Sequence, residues 1–258
     1  MNTTNTYESK LPEITAIPDS SISKRENIPV TVFLQEARNL YDWCQADKEK
    51  LIAGGFDWKL VEDMPARITA LREAQSIWAE AKNRHKKSEA IWIKKKPVAA
   101  ALKKEILHNM RFAFRKQEDL KKQLSAIRAG STQADMIQDL NDLAVLGRKN
   151  TELLSLINFD MSKLELASSM SEDLSALLAG ATTGRAESME AMKIRDKASR
   201  HLKECVDDLR GYGQFVFWQE STRARGYACV YTKKLRRKAA SKKIKEETAR
   251  GPLKAGEK

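Results

Sequence analysis

Apolar residues recur along this chain at alternating steps of three and four, the spacing that gathers them on one face of an α-helix. Phe33, Ala37, Leu40, Cys44 and Leu51 form the first stripe, with Asp47 its only polar member. Met64, Ile68, Leu71, Gln75 and Trp78 form a second. A third runs through Leu102, Ile106, Met110, Ala113, Gln117, Leu120, Leu124 and Ile127. It predicts one helix, closed by Gly130-Ser131, which also offers an N-cap to the next. Met136, Leu140 and Leu143 continue the pattern, then Leu153, Leu154 and Ile157, then Leu164, Ala167, Met170, Leu174 and Leu177. Gly180-Ala181-Thr182-Thr183-Gly184 reads as a helix break, as does the region 82–88 in the first half. A long helix then runs from Ala186 through Ala198, Leu202, Leu209 and Val216. Gly211 and Gly213 inside it weaken the helix by about 1 kcal/mol each relative to Ala, and predict a kink or a close helix crossing. Pro97 predicts either a kink or a helix start. The expected fold is all-α, an elongated antiparallel helical bundle.

The pattern also repeats on itself at an offset of 103 residues. Leu40 aligns with Leu143, Leu51 with Leu154, Leu71 with Leu174, Ile106 with Leu209, Phe112 with Phe215 and Phe114 with Phe217. The best-matched part is a turn, in which Gly55-Phe56-Asp57 aligns with Asn158-Phe159-Asp160. Gly and Asn most readily take the left-handed conformation that ends a helix. The Phe packs back onto that helix, and the Asp caps the next one through its free N–H groups. The repeat predicts an internally duplicated unit with boundaries at 31–130 and 131–232, preceded by a disordered or loosely docked tail at 1–30 and followed by a basic tail at 233–258.

A helix ending in Leu-x-x-Gly-Gly-Phe-Asp (Leu51 to Asp57), followed by a second helix with spaced aromatics (Trp78, Trp92), resembles a group of uncharacterised bacterial helical-bundle proteins. The resemblance covers about residues 33–128. It implies a helical bundle, and it brings no activity and no catalytic residues with it.

Composition narrows the class. The 258 residues are 41% hydrophobic and 32% charged, with eleven Gly and six Pro, which excludes collagen-like, low-complexity and disulfide-scaffold chains and disfavours a turn-rich all-β fold. Three widely spaced cysteines without a CxxC pair read as free thiols in a reducing compartment. The N-terminus lacks the basic and apolar regions of a secretory signal, and no apolar run is long enough to span a membrane. The expected location is cytoplasmic.

The formal net charge of +12 is unevenly spread. Residues 220–258 carry 13 basic and 4 acidic groups, residues 82–122 carry 14 and 4, and residues 131–180 carry 3 and 8. The basic 82–122 stretch is therefore expected to lie beside the acidic one. The C-terminal surplus is expected to be a contact segment, with Arg223, Arg225, Lys233, Lys234, Arg236, Arg237, Lys238, Lys242, Lys243 and Lys245 as candidate anion or nucleic-acid contacts. Phe215 and Phe217, matched to Phe112 and Phe114, are expected in the bundle core rather than as a stacking platform for bases. Leu235, Ala239 and Ile244 form no clean apolar face, so a membrane partner is disfavoured.

Candidate chemistry is sparse. Glu105 and His108 form an ExxH pair, but a di-iron bundle needs two, and the matched positions hold Asp208 and Gly211. Gly180 to Arg185 lacks the GxxxxGK[ST] spacing of a phosphate loop, and Gly211-Tyr212-Gly213 is no dinucleotide fingerprint. No nucleophile, base and orienter are spaced as a catalytic set, so no metal, cofactor or enzymatic activity is expected. The expected function is a non-enzymatic scaffold or interaction module with a protein partner or self-association. The alternative is sequence-nonspecific RNA or DNA binding through the C-terminal segment and the 82–122 face.

Overall fold

The computed structural model describes residues 3–22, 28–127 and 130–250. Among them the chain is an all-α helical bundle without strands. Its helices are α1 (Thr3–Ala16), α2 (Val30–Cys44), α3 (Lys48–Ala53), α4 (Lys59–Ala113), α5 (Glu118–Ile127), α6 (Gln133–Lys149), α7 (Thr151–Ser155), α8 (Ser162–Val216), α9 (Ser221–Gly226) and α10 (Val230–Arg250). The chain forms two compact units, one of residues 1–78 and 190–258, the other of residues 79–189. Helices α4 and α8 each contribute to both.

In the first unit the predicted stripes meet. Phe33, Ala37, Leu40 and Cys44 of α2, Leu51 of α3, and Met64, Ile68 and Leu71 of α4 pack with Leu202, Cys205, Val206 and Leu209 of α8. Helices α4 and α8 run antiparallel here: the Arg67 Nη1 donates to the His201 carbonyl at 2.7 Å, and the Cys205 Sγ contacts the Leu60 carbonyl at 3.1 Å. Burying each Leu, Ile or Phe stabilises the unit by about 1.5–3 kcal/mol. In the second unit Leu102, Ile106 and Met110 of α4 pack with Leu140, Leu143 and Ala144 of α6, Leu154 of α7, and Leu164, Ala167 and Leu174 of α8.

Several expectations need correction. Residues 180–184 are helical, inside α8, and 82–88 are helical, inside α4. Two glycines cost about 1 kcal/mol each, and a helix already propagating from both sides absorbs that. Pro97 starts no helix; it lies exposed within α4, which continues past it with one fewer N–H donor. The third stripe is two helices rather than one, because the chain turns at 114–117 to bury Phe114. The N-cap of α6 is Thr132, in a capping box with Asp135, and not Ser131. Part of the segment expected as a tail is helix α1, whose Ile14 is fully buried in the first unit's core.

The repeated turn takes the expected conformation twice. Gly55 (φ 91) and Asn158 (φ 50) have positive φ. After each, the Phe N–H returns to a leucine carbonyl, Phe56 to Leu51 and Phe159 to Leu154. Asp57 accepts from the Lys59 N–H and Asp160 from the Ser162 N–H, each at 3.0 Å. The helices they open, α4 and α8, start 103 residues apart and have 55 residues each.

Candidate contact surface on the C-terminal helix

The approach to α10 is built on the one polar residue of the first stripe. Asp47 is 6% exposed, at a position where the helical spacing demands burial. A bare carboxylate there would cost several kcal/mol, so it must be paired and hydrogen-bonded. The Arg223 Nε donates to both its oxygens at 2.6 and 2.9 Å, and the Tyr227 hydroxyl donates to Oδ2. The Arg223 Nη2 also donates to the Trp43 carbonyl, and the guanidinium lies 4.1 Å from the centroid of the Trp43 ring. Tyr227 is fully buried and stacks on Phe217 at 5.8 Å. Burial, and then the bond to Asp47, push its phenol well above the usual range. Gly213 permits this packing, because a Cβ at that position would overlap the Tyr227 ring.

A second pair fixes the first turn of α10. The Arg210 Nη2 donates to Glu36 Oε2 at 2.6 Å, both side chains being largely buried, and Glu36 Oε1 accepts from the Tyr231 N–H at 2.7 Å. Thus the chain is held to the first unit's core up to Tyr231.

Beyond that point the candidate cations separate into groups. Arg223 is committed to Asp47 and is part of the fold. Arg225 is exposed at the end of α9. Lys233, Lys234, Arg236, Arg237 and Lys238 are exposed on α10, and no carboxylate lies within ion-pair distance of them among the described residues. Lys242 is exposed on the same helix, whereas the side chains of Lys243 and Lys245 lie outside the described residues. No described side chain of α10 is buried, and its cations are distributed around the helix.

The acidic stretch answers 82–122 only in part: Lys95 and Lys103 find its carboxylates, whereas Lys86, Lys87, Lys94, Lys96, Lys104, Arg111, Lys116 and Lys122 are exposed with no carboxylate within ion-pair distance among the described residues. Within the second unit Lys95 pairs with Asp173 at 2.6 Å, Lys103 with the buried Asp139, and Arg84 with Glu187 at 3.6 Å. Glu105, half of the ExxH pair, is paired with Lys163, while His108 is exposed. Among the described residues no three His, Cys, Asp or Glu gather closely enough to hold a metal ion.

The aromatics also divide. Phe114 and Phe217 are buried, but Phe112 and Phe215 are 56% and 67% exposed, and Trp218 is 74% exposed. The expectation that Phe215 lies in the core is therefore incorrect. Two residues before the buried ring, a helical position has turned by about 200° and faces water. Asp47 is the one sequence signal of this network: a carboxylate on an apolar stripe must find polar partners, and the half-buried Arg223 and the buried Tyr227 are those partners.

No helix among the described residues is long and apolar enough to cross a membrane. No protein family, curated protein or solved structure matches this chain.

Proposed function

We propose that this protein is a non-enzymatic helical-bundle scaffold or interaction module, and that α10 is its contact segment for an acidic protein surface. The observation that carries the reading is the row Lys233, Lys234, Arg236, Arg237 and Lys238. These five cations are exposed on a helix whose first turn is anchored and whose described body buries nothing. A helix that is polar all round gains little from its own chain, and a partner of opposite charge supplies the missing interaction. The same cations would also neutralise phosphates, which is the nucleic-acid alternative. That alternative enlists the 82–122 face as well, where Arg84, Lys95 and Lys103 are engaged with carboxylates and Lys86, Lys87, Lys94 and Lys96 are exposed without one among the described residues.

The test replaces the five cations with glutamine in the full chain. Truncation at Gln219 is unsuitable, because it removes Arg223 and Tyr227 and leaves Asp47 buried and unpaired. Binding of labelled poly-glutamate and of a random-sequence duplex is followed by fluorescence anisotropy. The expected result is binding of poly-glutamate that weakens by about tenfold or more in the variant, a loss of about 1.4 kcal/mol. Tighter binding of the duplex, lost in the same variant, would establish the nucleic-acid alternative instead. Equal binding of both probes by wild type and variant would remove α10 from the account.

A further inference from the structure

The outer face of α8 near its C-terminus carries an open groove of about 480 Å³, lined by Gly54, Asp207, Asp208, Gly211, Tyr212 and Phe215. Asp208, Gly211, Tyr212 and Phe215 follow the i, i+3, i+4, i+7 spacing of one helix face. The Tyr212 ring is fixed edge-on against Phe56 at 5.2 Å. Gly211 has no packing role, since a Cβ there would meet nothing within 4 Å.

The chemistry of the occupant is written at the matching positions of the second unit, 103 residues earlier. There Glu105, matched to Asp208, is paired with Lys163. Phe112, matched to Phe215, lies under the guanidinium of Arg115 at 4.0 Å from the ring centroid. Both cations come from the same chain. In the first unit the position matching Lys163 is Leu60, and the position matching Arg115 is Trp218. Among the described residues no cation is within ion-pair distance of Asp208, and none lies over Phe215. A carboxylate and an aromatic face that elsewhere in the molecule hold a lysine and an arginine are here without either.

We infer that this groove receives helix α10 of a second copy of the chain, with a lysine on Asp208 and an arginine over Phe215. The proposal rests on α10 being the contact segment. The sequence Lys233-Lys234-Leu235-Arg236-Arg237-Lys238 supplies both cation types beside Leu235, which is 42% exposed and suits the apolar wall. An ammonium or guanidinium over an aromatic ring is attracted by its quadrupole, and the neighbouring carboxylate adds a charge-assisted hydrogen bond.

Sedimentation velocity of the full chain over a micromolar concentration series, at low and high salt, tests this. Gly211→Leu fills the groove at a position with free space. Trp218→Arg supplies Phe215 with a cation from its own chain, as Arg115 does for Phe112. The expected result is salt-sensitive self-association of the wild type, weakened by about tenfold in each variant with no fall in thermal midpoint, and weakened also by the five glutamines on α10. A wild type that stays monomeric, or groove variants that associate like the wild type, would overturn the proposal. In either case poly-glutamate binding by α10 still measures the contact reading separately. Association lost in the groove variants but kept with the five glutamines would reject α10 as the occupant.

Discussion

At the residue scale, a few positions carry consequences much larger than their size. Asp57 closes the first repeated turn and opens a 55-residue helix through its bond to the Lys59 N–H. Replacing it with alanine should cost about 1 kcal/mol, read as a lowered thermal midpoint; an unchanged midpoint would contradict the capping role. Asp47 is a more severe case, because its loss leaves Arg223 and a fully buried Tyr227 hydroxyl without their acceptor. Asp47→Ala should destabilise the protein by about 3 kcal/mol, the cost of breaking a buried pair from one side. Equilibrium denaturation checks this, and the double variant Asp47→Ala/Arg223→Met should recover part of the loss. The turn was legible in sequence because Gly, Asn and Asp have local conformational and capping roles that depend on their neighbours alone. The Asp47 network was not, because its members lie about 180 residues apart and only the polar break in an apolar stripe pointed to it.

At the element scale, α1 illustrates how a polar segment can still dock. Ile14 enters the core, Lys10 pairs with Asp63 at 2.7 Å, and the His201 Nε2 lies 3.3 Å from Glu13. Burial and the nearby Arg67 guanidinium hold the His201 imidazole below its ordinary value of 6.5, against the pull of Glu13. The folded state therefore resists a proton that the unfolded chain accepts. This favours unfolding progressively as pH falls below 6.5 and has no effect well above it. Thermal midpoints should decline from neutral pH towards about pH 5.5, and His201→Gln should flatten that decline; an identical slope in the variant would reject the assignment. Asp63 acts in a separate, more acidic window. Burial alone would raise its carboxyl, but hydrogen bonds from Lys10 and Arg67 hold it below 3.8, so its contribution is present above that value and is lost as pH falls further. The helices with clean stripes were legible from spacing. Helix α1 was not, because one buried isoleucine and a set of ion pairs leave no periodic pattern. Residues 82–88 and 180–184 are helical, against the break their composition suggests, because glycine and polar content raise the cost of a helix without deciding it once long flanking segments are already helical.

At the scale of the whole molecule, the boundaries expected from the 103-residue offset differ from those of the compact units. The expected boundaries run straight along the sequence, whereas each unit combines part of α4 with part of α8. Spacing on one helix reveals which face is buried, but not which distant helix covers it, so this arrangement was not legible beforehand. The charge distribution was legible in part. Lys95 and Lys103 of the basic 82–122 stretch meet carboxylates of the acidic stretch, and exposed cations without a carboxylate remain both there and on α10. The measurement that tests the contact role of α10 most directly is the salt dependence of poly-glutamate binding by the full chain and by the variant with glutamine at 233, 234, 236, 237 and 238. The account predicts that log Kd rises with log salt for the wild type, and that the variant binds weakly with a much shallower slope. Parallel slopes of equal affinity would contradict it.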